Sequence, residues 1–218
     1  MKKNKIFFDL DGTLVDSGEG VLNGVEYALS KYGILVSDRQ KLFGFMGPPL
    51  NDSFMKYYGF SLDKANEAVN FYREFYSKKG VYQFTVYKDI PKLLQYLKNC
   101  GCNIYIATSK PVFYAKMVMK KANLFDFFDD IYGSEFDGTR ATKIDVMKYA
   151  IAQSNTKDYN SAVMIGDREY DVNGAHAVGI ECIAILFGYG TKKEFIDCKA
   201  DYICETVVDV IKLLASEE

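Results

Sequence analysis

Apolar and polar positions alternate along most of this chain in a pattern that predicts strands followed by helices. A β-branched and aromatic run at residues 5–8 predicts a buried first strand. From Tyr87 onward, further apolar runs are separated by stretches with helical spacing, and they predict strands at 103–107, 130–132, 162–165, 182–186 and 202–204. Strands that alternate with helices are typical of an α/β fold with a doubly wound parallel sheet.

This alternation is interrupted by a segment in which only helical spacing is found, from about residue 18 to residue 84. A first helix is predicted to end near Gly33, a box at Ser37–Gln40 predicts a short second helix, and two more helices are expected at 51–57 and 61–76. Glycines and prolines predict a loop at 44–50. We therefore expect a core made of residues 1–16 and 85–218 and an inserted helical module, residues 17–84, over the carboxyl edge of its sheet.

Two carboxylates stand directly after the first predicted strand. Asp9 and Asp11 are two residues apart, so their side chains leave the same face of an extended strand, and Gly12 permits a sharp turn. Carboxylates held this close repel unless a cation lies between them. Mg²⁺ prefers oxygen ligands and is the natural choice where a phosphate is also bound. The alternative is an acidic turn, since Asp-Gly is a common turn pair.

Polar residues also follow the second and fourth predicted strands, where parallel sheets bind their ligands. Thr108-Ser109-Lys110 comes after the strand at 103–107, and Asp167 and Asp171 come after the strand at 162–165. Helix capping and an acidic helix start are the plain alternatives. Lys143 begins a helix for which Thr142 is the expected cap, and a solvated lysine is the alternative there.

These segments resemble the four motifs of the haloacid dehalogenase superfamily, in its phosphatase branch. The run of residues 9–17, DLDGTLVDS, resembles motif I. The resemblance implies that Asp9 attacks phosphorus to form an aspartyl-phosphate, and that Asp11 protonates the leaving alkoxide and later deprotonates water. Dehalogenases of the superfamily lack the second aspartate, so Asp11 favours phosphate chemistry.

The resemblance implies roles for the other segments as well. Thr108 and Ser109 would bind the phosphoryl oxygens, and Lys143 would neutralise the nucleophile and the transferred group. Asp167 would bind Mg²⁺ beside Asp9 and the carbonyl of Asp11, with Asp171 holding one of its waters.

Softer signals resemble the phosphoglycolate-phosphatase-like branch, which has a small helical cap and includes members described as 5′-nucleotidases. They are the loop 47–50 and the segment 137–140. Candidate substrates are 2-phosphoglycolate and nucleoside 5′-monophosphates. We expect the loop 43–50 over the mouth of the site, with Phe45 and Met46 against the leaving group; the alternative is that these side chains fill the core of the helical module. A small anionic leaving group would need Arg140, Lys110 or a cation of the helical module.

Composition and missing motifs exclude several other classes of protein. The net charge of −2 offers no surface for nucleic acid, and no apolar run approaches the ~20 residues of a membrane span. Five cysteines without a C-x-x-C pair indicate reduced thiols, and no secretory signal is found, so we expect a cytoplasmic protein with no obligate protein partner. The single histidine, His176, argues against phosphohistidine chemistry, and there is no P-loop.

Three functional hypotheses follow from these observations. The leading one is a Mg²⁺-dependent hydrolase of a small phosphomonoester. A phosphomutase of the β-phosphoglucomutase type shares motif I and the cap, and motif I alone does not distinguish the two. A non-catalytic module that senses a phosphorylated ligand is the third, although it would have no need of Asp9, Asp11, Lys143 and Asp167 together.

Overall fold

The computed structural model describes residues 3–216 of the chain. It contains two compact units, one formed by Met1–Asp16 and Val86–Glu218 and the other by Ser17–Thr85. We call them the core unit and the helical unit and describe each by itself. Within the described residues, no helix is both long enough and apolar enough to cross a membrane.

The core unit is built on a sheet of six parallel strands. In the order β5-β4-β1-β6-β7-β8, they are Asp130–Ser134, Asn103–Pro111, Lys5–Phe8, Ala162–Gly166, Glu181–Ile185 and Tyr202–Cys204. Two further short strands, β2 (Val15–Asp16) and β3 (Thr85–Val86), pair separately. The prediction of a doubly wound parallel α/β sheet is confirmed. The strand order reverses beside β1, which is the position where such sheets bind ligands.

Helices follow the strands of this sheet as the apolar spacing predicts. They are α4 (Ile90–Asn99), α5 (Val112–Lys121), α6 (Lys143–Gln153), α7 (Glu169–His176), α8 (Lys192–Asp197) and α9 (Val207–Ser216), with 3₁₀ turns at Phe125–Phe127 and Tyr159–Ser161. The hydroxyl of Thr142 accepts a hydrogen bond from the backbone of Asp145, so the expected cap of α6 is present. The helix α8 had no predicted counterpart, and β4 and β5 extend beyond their predicted ends.

The strand β1 is central because its side chains are apolar on both faces. Ile6, Phe7 and Phe8 are fully buried, and the ring of Phe7 stacks on that of Tyr105 in β4 with centroids 5.0 Å apart. Strands of a parallel sheet that are covered on both faces read as continuous apolar runs, which is why this one could be found in the sequence. The five cysteines are unpaired.

The helical unit contains three α-helices and two 3₁₀ helices. They are α1 (Gly18–Ser30), a 3₁₀ helix at Arg39–Phe45, α2 (Leu50–Tyr58), α3 (Leu62–Tyr76) and a 3₁₀ turn at Gly80–Tyr82. The second helix predicted from the sequence differs from its prediction in its type and in the residue at which it begins. It is a 3₁₀ helix, and its cap is Asp38, whose carboxylate accepts a hydrogen bond from the backbone of Gln40.

The segment 43–50 also differs from its prediction. Residues 43–45 belong to the 3₁₀ helix, so the loop is shorter than expected. The side chain of Phe45 is only 2% exposed, and its ring lies 4.9 Å from that of Phe54. Met46 is buried too, whereas Phe43 is exposed. The expectation that Phe45 faces a leaving group is therefore wrong for this structure, because aromatic packing within the helical unit holds Phe45 in its interior. The contact expected for Met46 stays a prediction.

Candidate active site

The carboxyl ends of three neighbouring strands bring together polar residues that were singled out in the sequence. Asp9 directly follows β1, Thr108 lies near the end of β4, and Asp167 follows β6. Because β1 lies between β4 and β6, these positions meet at one edge of the core sheet.

Asp9, Asp167 and Asp171 form a tight cluster of buried carboxylates. Each offers an oxygen atom, and these atoms lie within 4.8 Å of one another. Burial raises the pKa of Asp9 to about 6, although the neighbouring Lys143 acts in the opposite direction. Burial, together with the charges of the other two carboxylates, raises the pKa of Asp167 well above its usual range. The cluster therefore accumulates negative charge where water cannot screen it.

Lys143 neutralises part of this charge. Its ammonium lies 2.7 Å from Oδ1 of Asp9 and 2.8 Å from Oδ1 of Asp171, and it also donates a hydrogen bond to the carbonyl of Ala107. Burial by itself lowers the pKa of Lys143, but the two carboxylates outweigh this effect and raise it. The first turn of α6 thus delivers one cation to two carboxylates.

Asp167 has no such partner. Its side chain is completely buried (0% exposed), and among the described residues no lysine or arginine lies within ion-pair distance of it. Within residues 3–216, it accepts hydrogen bonds from the backbone of Tyr189, at 2.8 Å, and from the hydroxyl of Thr13, at 3.3 Å. A buried carboxylate without a cation, beside two more carboxylates, is an all-oxygen donor set that fits a hard divalent cation.

Asp171 fixes the loop that carries Asp167. Its Oδ2 accepts hydrogen bonds from the backbone of Asp167 and of Arg168, at 3.1 and 3.0 Å. The first turn of α7 and the metal-binding candidate Asp167 are thereby held as one unit. Glu194 supports the same turn, since its carboxylate accepts hydrogen bonds from Arg168 Nε and the backbone of Glu169.

The side chain of Asp11 is engaged differently from that of Asp9. Its two carboxylate oxygens lie 2.9 and 2.7 Å from the ammonium of Lys110, whose side chain is almost entirely buried. Sequence reasoning considered Lys110 only as a partner for a substrate anion, so this contact was missed. The only feature of the sequence that pointed to this contact was the presence of a lysine shortly after Thr108.

The remaining predicted residues are placed as follows. Thr108 is buried, and its hydroxyl accepts a hydrogen bond from the backbone of Lys110, while the carbonyl of Ser109 accepts one from the hydroxyl of Ser134. The expectation that Arg140 meets a substrate anion is not supported by its contacts. It donates to the carbonyl of Gly133 and forms an ion pair with Glu135, and its guanidinium lies over the ring of Tyr149. His176 lies at the end of α7 and pairs with Asp201.

A loop after β7, which sequence reasoning did not assign, completes the surroundings of Asp167. A Cβ atom on Gly188 would lie 2.3 Å from Cβ of Asp167, and one on Gly12, whose φ is +86°, would lie 2.1 Å from Oδ2 of Asp167. Tyr189, which lies between Gly188 and Gly190 in the chain, donates its backbone N–H to Asp167 and its hydroxyl to Asp16. The available signal was a Gly-x-Gly segment after a predicted strand.

Comparisons with known proteins identify the family to which this chain belongs. Residues 6–185 match the family described as haloacid dehalogenase-like hydrolase. The chain is 38% identical over 211 residues to a 5′-nucleotidase of Pseudomonas aeruginosa, covering 97% of this chain and 95% of the relative. It is 34% identical over 206 residues to the tyrosine-protein kinase PtkA of Mycobacterium tuberculosis, covering 94% of this chain and 67% of that protein.

The fold of the chain is also similar to that of a solved structure. The crystal structure of a predicted phosphatase from Clostridium acetobutylicum superposes with a TM-score of 0.94 at 41% identity, over 98% of this chain and 99% of that one. The chain therefore belongs to the haloacid dehalogenase-like hydrolase family and is a phosphatase of that family.

Proposed function

We propose that this protein is a Mg²⁺-dependent phosphomonoester hydrolase that reacts through an aspartyl-phosphate on Asp9. The observation that carries the proposal is the division of charge in the buried cluster. Lys143 is paired with Asp9 and Asp171, whereas Asp167 is buried without a cation. A carboxylate nucleophile, a fixed lysine and a place for a divalent cation are what phosphoryl transfer to a carboxylate needs.

In the first half-reaction, Asp9 attacks phosphorus and the bond from phosphorus to the leaving oxygen breaks. Asp11 gives its proton to that oxygen, so the leaving group departs as an alcohol. Lys143 reduces the repulsion between the Asp9 carboxylate and the incoming phosphate. Thr108 and Ser109 bind the phosphoryl oxygens at the end of β4.

In the second half-reaction, Asp11 removes a proton from water, which attacks the phosphorus of the mixed anhydride and releases inorganic phosphate. Asp9 is thereby restored as a carboxylate. Asp9, Asp167 and, through a water, Asp171 would hold Mg²⁺, with the carbonyl of Asp11 as a further ligand. When bound, the ion supplies positive charge for the phosphoryl oxygens.

We also propose a division of labour along the chain. Residues 1–16 and 85–218 form the catalytic core, and residues 17–84 form a cap that takes part in choosing the leaving group. The substrate is a small phosphorylated metabolite of the cytoplasm. Candidates are 2-phosphoglycolate and the nucleoside 5′-monophosphates; the name of the Pseudomonas relative supports the second class.

Release of phosphate from p-nitrophenyl phosphate and from a panel of phosphorylated metabolites tests the proposal. We expect turnover with Mg²⁺ and its loss in EDTA. With p-nitrophenyl phosphate, whose leaving group needs no acid, Asp11→Asn is expected to become phosphorylated slowly, and mass spectrometry of peptides locates the phosphoryl group on Asp9. Lack of turnover across the whole panel, or turnover that persists in EDTA, contradicts the proposal.

A further inference from the structure

Four cationic side chains at the carboxyl edge of the core sheet each pair with a carboxylate. Residues 108–111, 135–143 and 167–171, which follow or end the strands β4, β5 and β6, contain four lysines and arginines. Their ion pairs, with distances of 2.5 to 2.9 Å, are Lys110–Asp11, Arg140–Glu135, Lys143–Asp9 and Arg168–Glu194. A second anionic group on the substrate would have to displace one of these carboxylates. This edge therefore suits a leaving group without charge.

The same edge exposes aromatic rings. Phe113, in the first turn of α5, is 58% exposed, and Phe136, in the segment after β5, is 43% exposed. Their ring centroids are 5.9 Å apart, and Tyr114 lies buried against both, 5.5 Å from Phe113 and 5.2 Å from Phe136. We call Phe113 and Phe136 the aromatic platform. Exposed rings supported by a buried one are typical of a surface that binds a flat apolar group.

The aromatic platform is joined directly to the segment proposed to bind phosphate. Phe113 stands only five residues after Thr108, a separation that spans at most ~18 Å when fully extended. The two segments that carry the platform are also tied together, because the hydroxyl of Ser134 donates to the carbonyl of Ser109 at 2.7 Å. A substrate with its phosphate at Thr108 can thus direct its leaving group toward the platform.

We infer that the aromatic platform stacks the base of a nucleoside 5′-monophosphate, an inference that rests on the proposed function. A nucleobase is flat and uncharged, and it is linked to the reacting phosphate through a ribose. Because every base has a π face, stacking on such a platform tolerates purines and pyrimidines alike. The core unit thereby contributes to substrate choice, in addition to any selection by the proposed cap.

Comparison of a nucleotide with its base-free counterpart tests this inference. The measured quantity is the ratio of kcat/KM for adenosine 5′-monophosphate to kcat/KM for ribose 5-phosphate. We expect Phe113→Ala or Phe136→Ala to lower this ratio about tenfold, equivalent to ~1.4 kcal/mol, with the rate on ribose 5-phosphate changed less than about twofold. Phe113→Tyr keeps the ring and should preserve the ratio. Tyr159→Ala, which removes an exposed ring before β6 at the opposite edge, is the matched control.

Three results overturn the inference while leaving the proposed function intact. The ratio stays unchanged in both alanine variants, or both substrates slow equally, as expected for a structural defect. The third is a change of oligomeric state in size-exclusion chromatography without a change in the ratio, which identifies the platform as an interface between copies. If the wild type releases phosphate from no substrate of the panel, the proposed function itself fails, and the inference fails with it. If the enzyme turns over substrate but the ratio is unaltered in the variants, only the inference about the aromatic platform fails.

Discussion

The interior of the helical unit and the carboxyl edge of the core sheet are both buried, yet their chemistry is opposite. The helical unit packs aromatic rings: Phe54 lies 4.9 Å from Phe45 and 5.9 Å from Phe60, centroid to centroid. The edge of the core sheet instead buries three carboxylates, of which two are paired with one lysine. Apolar packing stabilises a fold, whereas like charges held out of water oppose it.

This difference shows where the molecule carries its stability and where it carries its reactivity. Burial of the aromatic residues in the helical unit stabilises the fold because it removes apolar surface from water. Burial of the charged carboxylates of Asp9 and Asp167 is unfavourable, and the raised pKa values of these two residues reflect that cost. Perturbed carboxylates of this kind concentrate at sites where charge is used for binding or catalysis. Substitutions in the two regions should therefore separate activity from stability.

The largest expected effect is on activity, at the edge of the core sheet. Asp9→Asn removes the proposed nucleophile and keeps the shape of the side chain. We expect kcat to fall at least about a thousandfold, roughly 4 kcal/mol in the barrier, with substrate binding largely retained. Asp197→Asn, at an exposed carboxylate of α8, should change kcat less than about twofold. An Asp9→Asn enzyme that keeps more than a thousandth of the wild-type kcat contradicts the assignment.

In the helical unit, the expected effect is on stability. Phe45→Ala leaves a cavity among aromatic rings and should lower the free energy of unfolding in urea by about 3–5 kcal/mol. Phe43→Ala, at an exposed ring, should cost less than about 0.5 kcal/mol. We expect ratios of kcat/KM between substrates to stay within about threefold in both variants. A larger change in Phe45→Ala at unchanged stability would restore Phe45 as a residue that selects the leaving group.

A metal ion should reverse the cost of the carboxylate cluster. Mg²⁺ at a hundred times its Kd is expected to raise the free energy of unfolding by ~2.7 kcal/mol, measured by urea denaturation with and without EDTA. Asp167→Asn should remove most of this increase. A matched test is Asp16→Asn, because Asp16 lies outside the cluster, and this variant should retain the increase. Equal stabilisation of wild type and Asp167→Asn would contradict the proposed site.

Asp167→Asn also tests, in the absence of metal, how much the buried charge of Asp167 destabilises the fold. Asp167 must either bury its charge or take up a proton, so Asp167→Asn should raise the free energy of unfolding at neutral pH by about 1–3 kcal/mol. The pKa of Asp167 is raised in the folded protein, so its penalty grows as pH rises above the ordinary aspartate pKa. The gain from Asp167→Asn should accordingly shrink toward pH 4. A gain that grows as pH falls would contradict this account.

The smallest expected effect concerns the loop that surrounds Asp167. Tyr189→Phe removes the hydrogen bond from the Tyr189 hydroxyl to Asp16 but keeps the backbone N–H that binds Asp167. We expect a loss of about 0.5–1.5 kcal/mol in the free energy of unfolding, with Mg²⁺ affinity unchanged. A marked loss of Mg²⁺ affinity would show that the side chain, and not only the backbone, shapes the metal site.

The sequence alone determined the order of elements and the positions from which the site is built. The apolar run at 5–8, the interruption by a helical segment and the cap at Thr142 are local patterns, governed by burial and by hydrogen bonds between near neighbours. Strand ends could be located in the same way to within a few residues, and in a parallel sheet they converge on one edge. Asp9, Thr108 and Asp167 were found for that reason.

Tertiary structure alone decided which of these groups touch and which charges remain unpaired. Asp11 pairs with Lys110, 99 residues away, and Arg140 is held by Glu135 and Tyr149. The contact of Asp11 with Lys110 does not follow from spacing, because side-chain partners across a sheet depend on register and rotamer. Phe45 is buried and Phe43 exposed for a similar reason. A 3₁₀ helix includes the first residues of the expected loop, and the ring of Phe45 packs against Phe54 of α2. Local chemistry thus places residues on elements, and only the packing of distant elements decides which of them face one another.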